Sequence, residues 1–198
     1  MAKITTKIHR EFRHNRVASF DELNAMQTKK HIEKLYKKIY KIVKAEFAAI
    51  LDSLIAEIAD EALALGFDGD IRDLDEAWIE EFFDEYNPVT KYVFSNELGR
   101  KKSRLFEALV ASAAEKHKIY QTAENLLLRQ IKQSGIDLDD AVVRIVYKDA
   151  GVKQVQWNSE NDSKTCDFCD ELDGEVFELA KAPPKAHHNC RCWYTPVE

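Results

Sequence analysis

Residues 31–69 read HIEKLYKKIYKIVKAEFAAILDSLIAEIADEALALGFDG. Apolar side chains recur at Ile32, Leu35, Ile39, Val43, Phe47, Ile50, Leu54 and Ile58, at a mean spacing of about 3.7 residues. That is a helical period, and it is longer than the 3.5 of a left-handed heptad coil. It predicts a helix that packs against other helices rather than a leucine-zipper dimer. No Gly or Pro interrupts residues 1–65, Ser19 or Asp21 can cap the start, and Gly66-Phe67-Asp68-Gly69 ends the element. A helix over 21–65 is a rod ~67 Å long at ~1.5 Å per residue.

Reading outward, residues 73–86 form a second expected helix with Leu74, Trp78, Phe82 and Tyr86 on its apolar face, stopped by Asn87-Pro88. A third helical stretch covers 89–133, with Val93, Phe94, Leu98, Leu105, Phe106, Leu109 and Val110 as its core and Ser134-Gly135 as its end. Residues 137–150 are read as a short separate helix, stopped by Gly151. The texture then changes to strands. VKQVQW is one, Asp173-Gly174 is a turn signal ahead of EVFEL, and CRCWYT offers a third. Residues 1–18 are polar and basic with little periodicity, and read as a tail. The expected fold is mainly α: an elongated helical body with a small C-terminal β-rich zinc-knuckle module. Its divisions are a basic N-terminal tail (1–20), the helical body (21–150) and the zinc-binding knuckle (151–198).

The 198 residues suffice for an ordinary core without staples. Hydrophobic residues at 45% and few Gly or Pro exclude collagen-like and wholly disordered chains. No apolar run approaches the ~20 residues of a membrane span, so no membrane partner is expected. The net charge of −6 hides alternation. Residues 1–45 hold 12 Lys/Arg against 4 acids, residues 46–90 hold 1 against 14, residues 91–135 hold 9 against 4, and the remainder 7 against 13. Such blocks can pair within the chain or face partners. The lysine-rich first half of the rod, Lys29 to Lys44, can meet a negatively charged protein surface or packaged DNA.

All four cysteines lie in TCDFCDELDGEVFELAKAPPKAHHNCRC, residues 165–192. Cys166 and Cys169 form C-x2-C, and His187, His188, Cys190 and Cys192 follow. Two close thiolates and a second pair from a later loop complete the tetrahedron of a structural Zn²⁺ site. The expected ligands are Cys166, Cys169, His187 and Cys190. Cys192 can replace Cys190, because the two face the same way in an extended stretch. More donors than positions means a closed, structural zinc rather than a catalytic one. The bland alternative is a set of reduced core cysteines. A segment this short lacks the apolar area to fold alone, which favours the metal.

The pattern Trp157…Asp162-Ser-Lys-Thr-Cys166-Asp-Phe-Cys169…Leu172-Asp-Gly174-Glu-Val-Phe177…Pro183-Pro184…His187-His-Asn-Cys190-Arg-Cys192 resembles tailed-phage minor head proteins. This is the head morphogenesis family that includes the F protein of phage Mu. The match covers residues 150–198, with His188 where that family's pattern has proline and two extra residues before His187. The resemblance implies a non-enzymatic virion protein that sits in the head interior near the portal and is present in the host cytoplasm during assembly. It implies the portal protein and other head proteins as partners, in capsid assembly, DNA packaging or ejection. Some family members carry toxin or nuclease domains beyond this module, and none is expected in the six residues after Cys192.

Two rival readings compete. His187-His188-Asn189 beside C-x2-C resembles a zinc-dependent HNH-like nuclease, but that fold requires a further His or Asn after the pair, and none follows. A zinc-ribbon nucleic-acid-binding protein requires a basic knuckle, whereas acids outnumber bases in residues 152–198.

Overall fold

The computed structural model describes residues 2–17, 25–85, 116–185 and 190–197. Its elements are α1 (Ala2–Val17), α2 (Ala25–Ala64), α3 (Glu76–Glu85), α4 (Lys116–Ala150), β1 (Gln154–Asn158), α5 (Asp167–Glu171), β2 (Val176–Glu178) and β3 (Trp193–Val197). A single 3₁₀ turn covers Leu179–Lys181. The described residues are mainly helical, with one small C-terminal sheet. They form two compact units. The first comprises residues 1–47 and 79–132, and the second comprises 48–78 and 133–198. The expected caps Ser19 and Asp21, the Asn87-Pro88 stop and the expected core of 93–110 lie outside the described residues.

In the first unit α1 corrects the expected tail. Ile4, Ile8 and Phe12 recur every fourth residue and are buried, while Arg10 and Arg13 are exposed. The periodicity is there but narrow, three residues wide, and the basic residues around it mask it. The Phe12 ring meets Tyr36 edge-on at 6.2 Å. Lys7 and Lys3 pair with Glu46, and Lys38 pairs with Glu11 at 2.7 Å. On α2 the buried stripe is Ile32, Leu35, Tyr36, Ile39, Val43 and Phe47. Tyr36 donates its hydroxyl to the Ala123 carbonyl, and burial pushes its ionisation far above the ordinary tyrosine range. Phe83 stacks on Phe47 at 5.5 Å and meets Tyr40 edge-on at 5.6 Å. The face of α3 is therefore Ile79 and Phe83, one residue on from the expected Trp78 and Phe82, which are half-buried. Leu74 is buried but precedes the helix, so it does not set the helical phase. The α3 start is capped by Asp75, whose carboxylate accepts the Trp78 N–H at 2.9 Å.

The second unit takes residues 48–64 of α2. Here Leu51, Ile58 and Ala62 are buried, whereas Ile50, expected in the stripe, is 45% exposed. Steps of four from Ile39 to Leu51 carry the buried line past it. Gly66 closes α2 at φ +86°, with Phe67 N–H on the Ala62 carbonyl (3.1 Å) and Gly66 N–H on that of Leu63 (2.9 Å). This is the left-handed glycine stop that the sequence predicts. Gly69 serves a different need. A Cβ there would lie 2.0 Å from the Asp149 carbonyl oxygen, so the loop passes the end of α4 where a side chain has no room. Arg72 then grips Asp149 through Nε and an Nη, both at 2.7 Å.

The expected stop at Ser134-Gly135 does not occur, because α4 runs through it. Buried residues at 120, 123, 127, 131, 134, 138, 142 and 146 form one unbroken helical stripe. Burial along that stripe outweighs the ~1 kcal/mol that a mid-helix Gly costs. Residues 137–150 are thus helical as expected, but are the last turns of α4. Gly151, at φ +93°, ends it. The sheet has the order β2-β1-β3 with both pairs antiparallel. Val155 faces Phe177 and Pro196, and Trp157 faces Tyr194. Pro196 is tolerated because β3 is an edge strand.

Two outcomes test this packing. Phe12→Ala removes a ring that is 2% exposed and is expected to cost about 3 kcal/mol in urea unfolding, where a tail residue costs nothing. The second concerns pH. The Arg72 guanidinium beside Asp149 holds that carboxyl below the usual carboxylate range. The stability it contributes is therefore present above pH ~4 and is lost as pH falls through the depressed value. Arg72→Ala is expected to lower stability slightly at pH 7 and to flatten the acid limb of stability against pH.

Candidate metal centre

Three thiols converge in the second unit. The sulfurs of Cys169, Cys190 and Cys192 all lie within 4.8 Å of one another, and all three residues are buried. The fourth cysteine, Cys166, is half-buried and its thiol bears on Cys169. His187 and His188 lie outside the described residues. The structure therefore brings both Cys190 and Cys192 to Cys169, where the spacing offered either one.

Local structure explains the convergence. Cys166 stands at the N-cap of α5 with extended backbone (φ −83°, ψ 158°), and Cys169 lies within that single turn of helix. The Asp170 N–H bonds to the Cys166 carbonyl at 3.0 Å. Cys190 and Cys192 precede β3, two residues apart, and share a side in extended chain. Tyr194, two residues further, continues that side and pairs with Trp157 on the buried face of the sheet. The rings of Trp157 and Tyr194 meet edge-on at 5.4 Å.

The two cysteine arms are clipped together by an ion pair that sequence reasoning left unassigned. Arg191, between Cys190 and Cys192, binds the Asp162 carboxylate through both terminal nitrogens, one at 2.8 Å. Asp162 also accepts the Lys164 N–H at 2.9 Å, and its own N–H bonds to Thr165 Oγ1 at 3.1 Å. Asp162 thus shapes the turn that delivers Cys166. The Arg191 guanidinium, and next the Lys164 N–H, hold the Asp162 carboxyl far below the usual range. Behind this turn, Asp173 accepts the Ser159 N–H (2.7 Å) and the Asn161 amide (2.8 Å), with Asn161 at a φ of +50°. Both acids appear in the motif, but as motif letters they carry no geometry.

The donor set fits a metal ion. The Cys169 and Cys190 sulfurs are 3.8 Å apart. Two thiolates ~2.3 Å from one ion at the tetrahedral angle are separated by about 3.8 Å, whereas a disulfide is ~2.05 Å. All four cysteines are unbridged. Without a cation the cluster disfavours thiolates. Burial, then the neighbouring thiols, pushes Cys169 far above the ordinary thiol range, and burial pushes Cys192 up to about 11. A bound cation reverses that preference and deprotonates its thiol ligands.

The centre is anchored to α4 by Arg144. Its guanidinium lies 2.9 Å from Asp140, 3.0 Å from both the Pro183 carbonyl and the Tyr194 hydroxyl, and over the Tyr194 ring at 5.1 Å. The Tyr147 hydroxyl lies 2.8 Å from Glu61 and 3.3 Å from the Tyr194 carbonyl. Lys185 pairs with Asp139 at 2.9 Å. A cavity of about 570 Å³ adjoins Arg144, Lys148, Lys153 and Glu178, away from the thiols.

Comparison with known proteins covers the segment that holds this centre. Residues 99–195 match the family described as Phage Mu protein F like protein. An uncharacterized protein of Haemophilus influenzae is 25% identical over 120 residues, which cover 55% of this chain and 27% of that protein. The chain thus spans about a quarter of the length of that curated relative. No solved structure matches significantly. The thiols thus gather at the end of a segment, residues 99–195, that is similar to the phage Mu F-like proteins.

Proposed function

We propose that this chain is a structural protein of a phage head, shaped by a zinc ion held on its C-terminal cysteines, and that it acts near the portal in capsid assembly, DNA packaging or ejection. The observation that carries the reading is the phage Mu F-like match over residues 99–195, which encloses the converging thiols. Cys169, Cys190 and Cys192, which lie together, are the proposed core of the ligand set, with Cys166 or His187 as the remaining ligand. A ligand set dominated by thiolates selects zinc or iron over hard cations. With the fourth ligand in place the tetrahedron is full and leaves no position for a reacting water, which favours a structural over a hydrolytic role. The ion supplies folding free energy that the 151–198 segment lacks in apolar burial.

The surface that would meet other head proteins, the portal first, is the basic side of α2. Lys38 and Lys44 are consumed in pairs with Glu11 and Glu80. Lys34, Lys37 and Lys41 are exposed and carry no ion pair among the described residues. They point away from the buried stripe, so an acidic portal surface or packaged DNA fits them by charge.

The purified chain is expected to hold one zinc per molecule by elemental analysis, with the thiols of Cys169, Cys190 and Cys192 protected from alkylation until a chelator is added. Removal of the ion is expected to expose Trp157 to quenchers while far-UV helicity changes little. Less than ~0.2 equivalents of zinc, or indifference to chelator, removes the metal from the reading. For the assembly role, Lys34→Glu, Lys37→Glu and Lys41→Glu together are expected to leave the isolated protein within about 1 kcal/mol of the parent, since exposed charges contribute little. The same variant is expected to be lost from purified heads and from co-purification with the portal. Normal incorporation takes the basic side out of the mechanism.

A further inference from the structure

Trp157 is fully buried at 0% exposure, and its indole N–H has no hydrogen-bond partner among the described residues. A buried donor left open costs ~1–3 kcal/mol, so such a group calls for an explanation. Its surroundings supply one. Trp157 pairs with Tyr194 across β1 and β3, and Cys192 precedes Tyr194 by two residues on the same side of the chain. Diagonal neighbours on one sheet face lie within reach of a long aromatic side chain. That register sets Cys192, itself buried, diagonal to Trp157. A neutral thiol is a weak acceptor, whereas a thiolate is a strong one.

We propose that Trp157 is a positioning residue of the metal centre: its indole N–H donates to the Cys192 sulfur when that sulfur is a metal-bound thiolate. The inference rests on the thiolate-site reading and adds to it a role for one residue outside the ligand set. A tryptophan at this position then serves two ends. Its ring fills the core beneath the sheet, and its N–H offsets charge on one of several crowded thiolates. Partners of this kind orient metal ligands, and their loss typically lowers metal affinity 10- to 100-fold.

The test uses the full chain loaded with Co²⁺, whose sulfur-to-metal charge-transfer band reports on thiolate hydrogen bonding. Two variants are compared with the parent. Trp157→Phe removes the donor and part of the ring. Replacement of Trp157 alone by benzothienylalanine removes the N–H and keeps the bicyclic shape, so it stays informative if the Phe variant folds poorly. Loss of the donor is expected to move the band to lower energy in both variants and to weaken Co²⁺ binding about tenfold. An unmoved band in the benzothienylalanine variant overturns the inference, even if affinity falls, because packing alone then accounts for Trp157. A parent chain that develops no charge-transfer band refutes the thiolate site itself, which separates the two failures.

Discussion

Everything in the C-terminal module turns on the 3.8 Å between the sulfurs of Cys169 and Cys190. Polar, half-buried chain surrounds them, with a three-stranded sheet whose strands are five, three and five residues long. Strands this short do not hold themselves, and a small sheet needs a partner layer or a staple. The thiols provide the staple when they share a cation. They bring the α5 turn and the approach to β3 into one place, and the Asp162–Arg191 pair fixes the same two arms from the surface.

Arg144 couples that staple to the helix on which it rests. A guanidinium offers five donors in a fixed fork, and here they reach a carboxylate, backbone carbonyls and the Tyr194 hydroxyl. Tyr194 is therefore held from three sides, by Trp157, by Arg144 and by the Pro183 carbonyl. A lysine would offer one point charge in place of the fork and leave some of these groups open. The continuity of α4 matters for the same reason. Had it ended at Ser134-Gly135, Arg144 would sit on a short separate helix rather than on the last turns of a 35-residue one.

The legible parts of the sequence were those where a local rule and the tertiary structure agree. The α2 stripe, its Gly66 stop, the Gly151 stop and the clustering of cysteines all follow from period, φ or spacing. Ser134-Gly135 misleads because a breaker signal is local, while the buried line through residues 131, 134 and 138 is not. The α1 helix was hidden because three apolar residues among many bases fall below what periodicity resolves, although they suffice once α2 offers Tyr36 to Phe12. The shifted faces at Ile50 and Phe82 are phase errors of one residue. Gly69 read as part of a turn, yet its reason is the Asp149 carbonyl, 80 residues away in sequence. Of the centre, the clustering of cysteines was legible but not that Cys169, Cys190 and Cys192 meet, because Cys190 and Cys192 look equivalent until both are seen against Cys169. The roles of Asp162, Arg191 and Trp157 depend on contacts across the fold that spacing does not encode.

The sheet register has a kinetic corollary. The innermost contact between β1 and β3, Asn158 with Trp193, closes a loop of 35 residues. A link between positions 169 and 190 takes 21 of those residues out of the path. Halving a loop lowers its closure cost by about 0.6 kcal/mol. The order of events then becomes a matter of metal supply. With an ion shared by the thiols the cysteine arms would meet first and the outer strands would find each other over a shortened path, whereas a chain without it would search the whole loop.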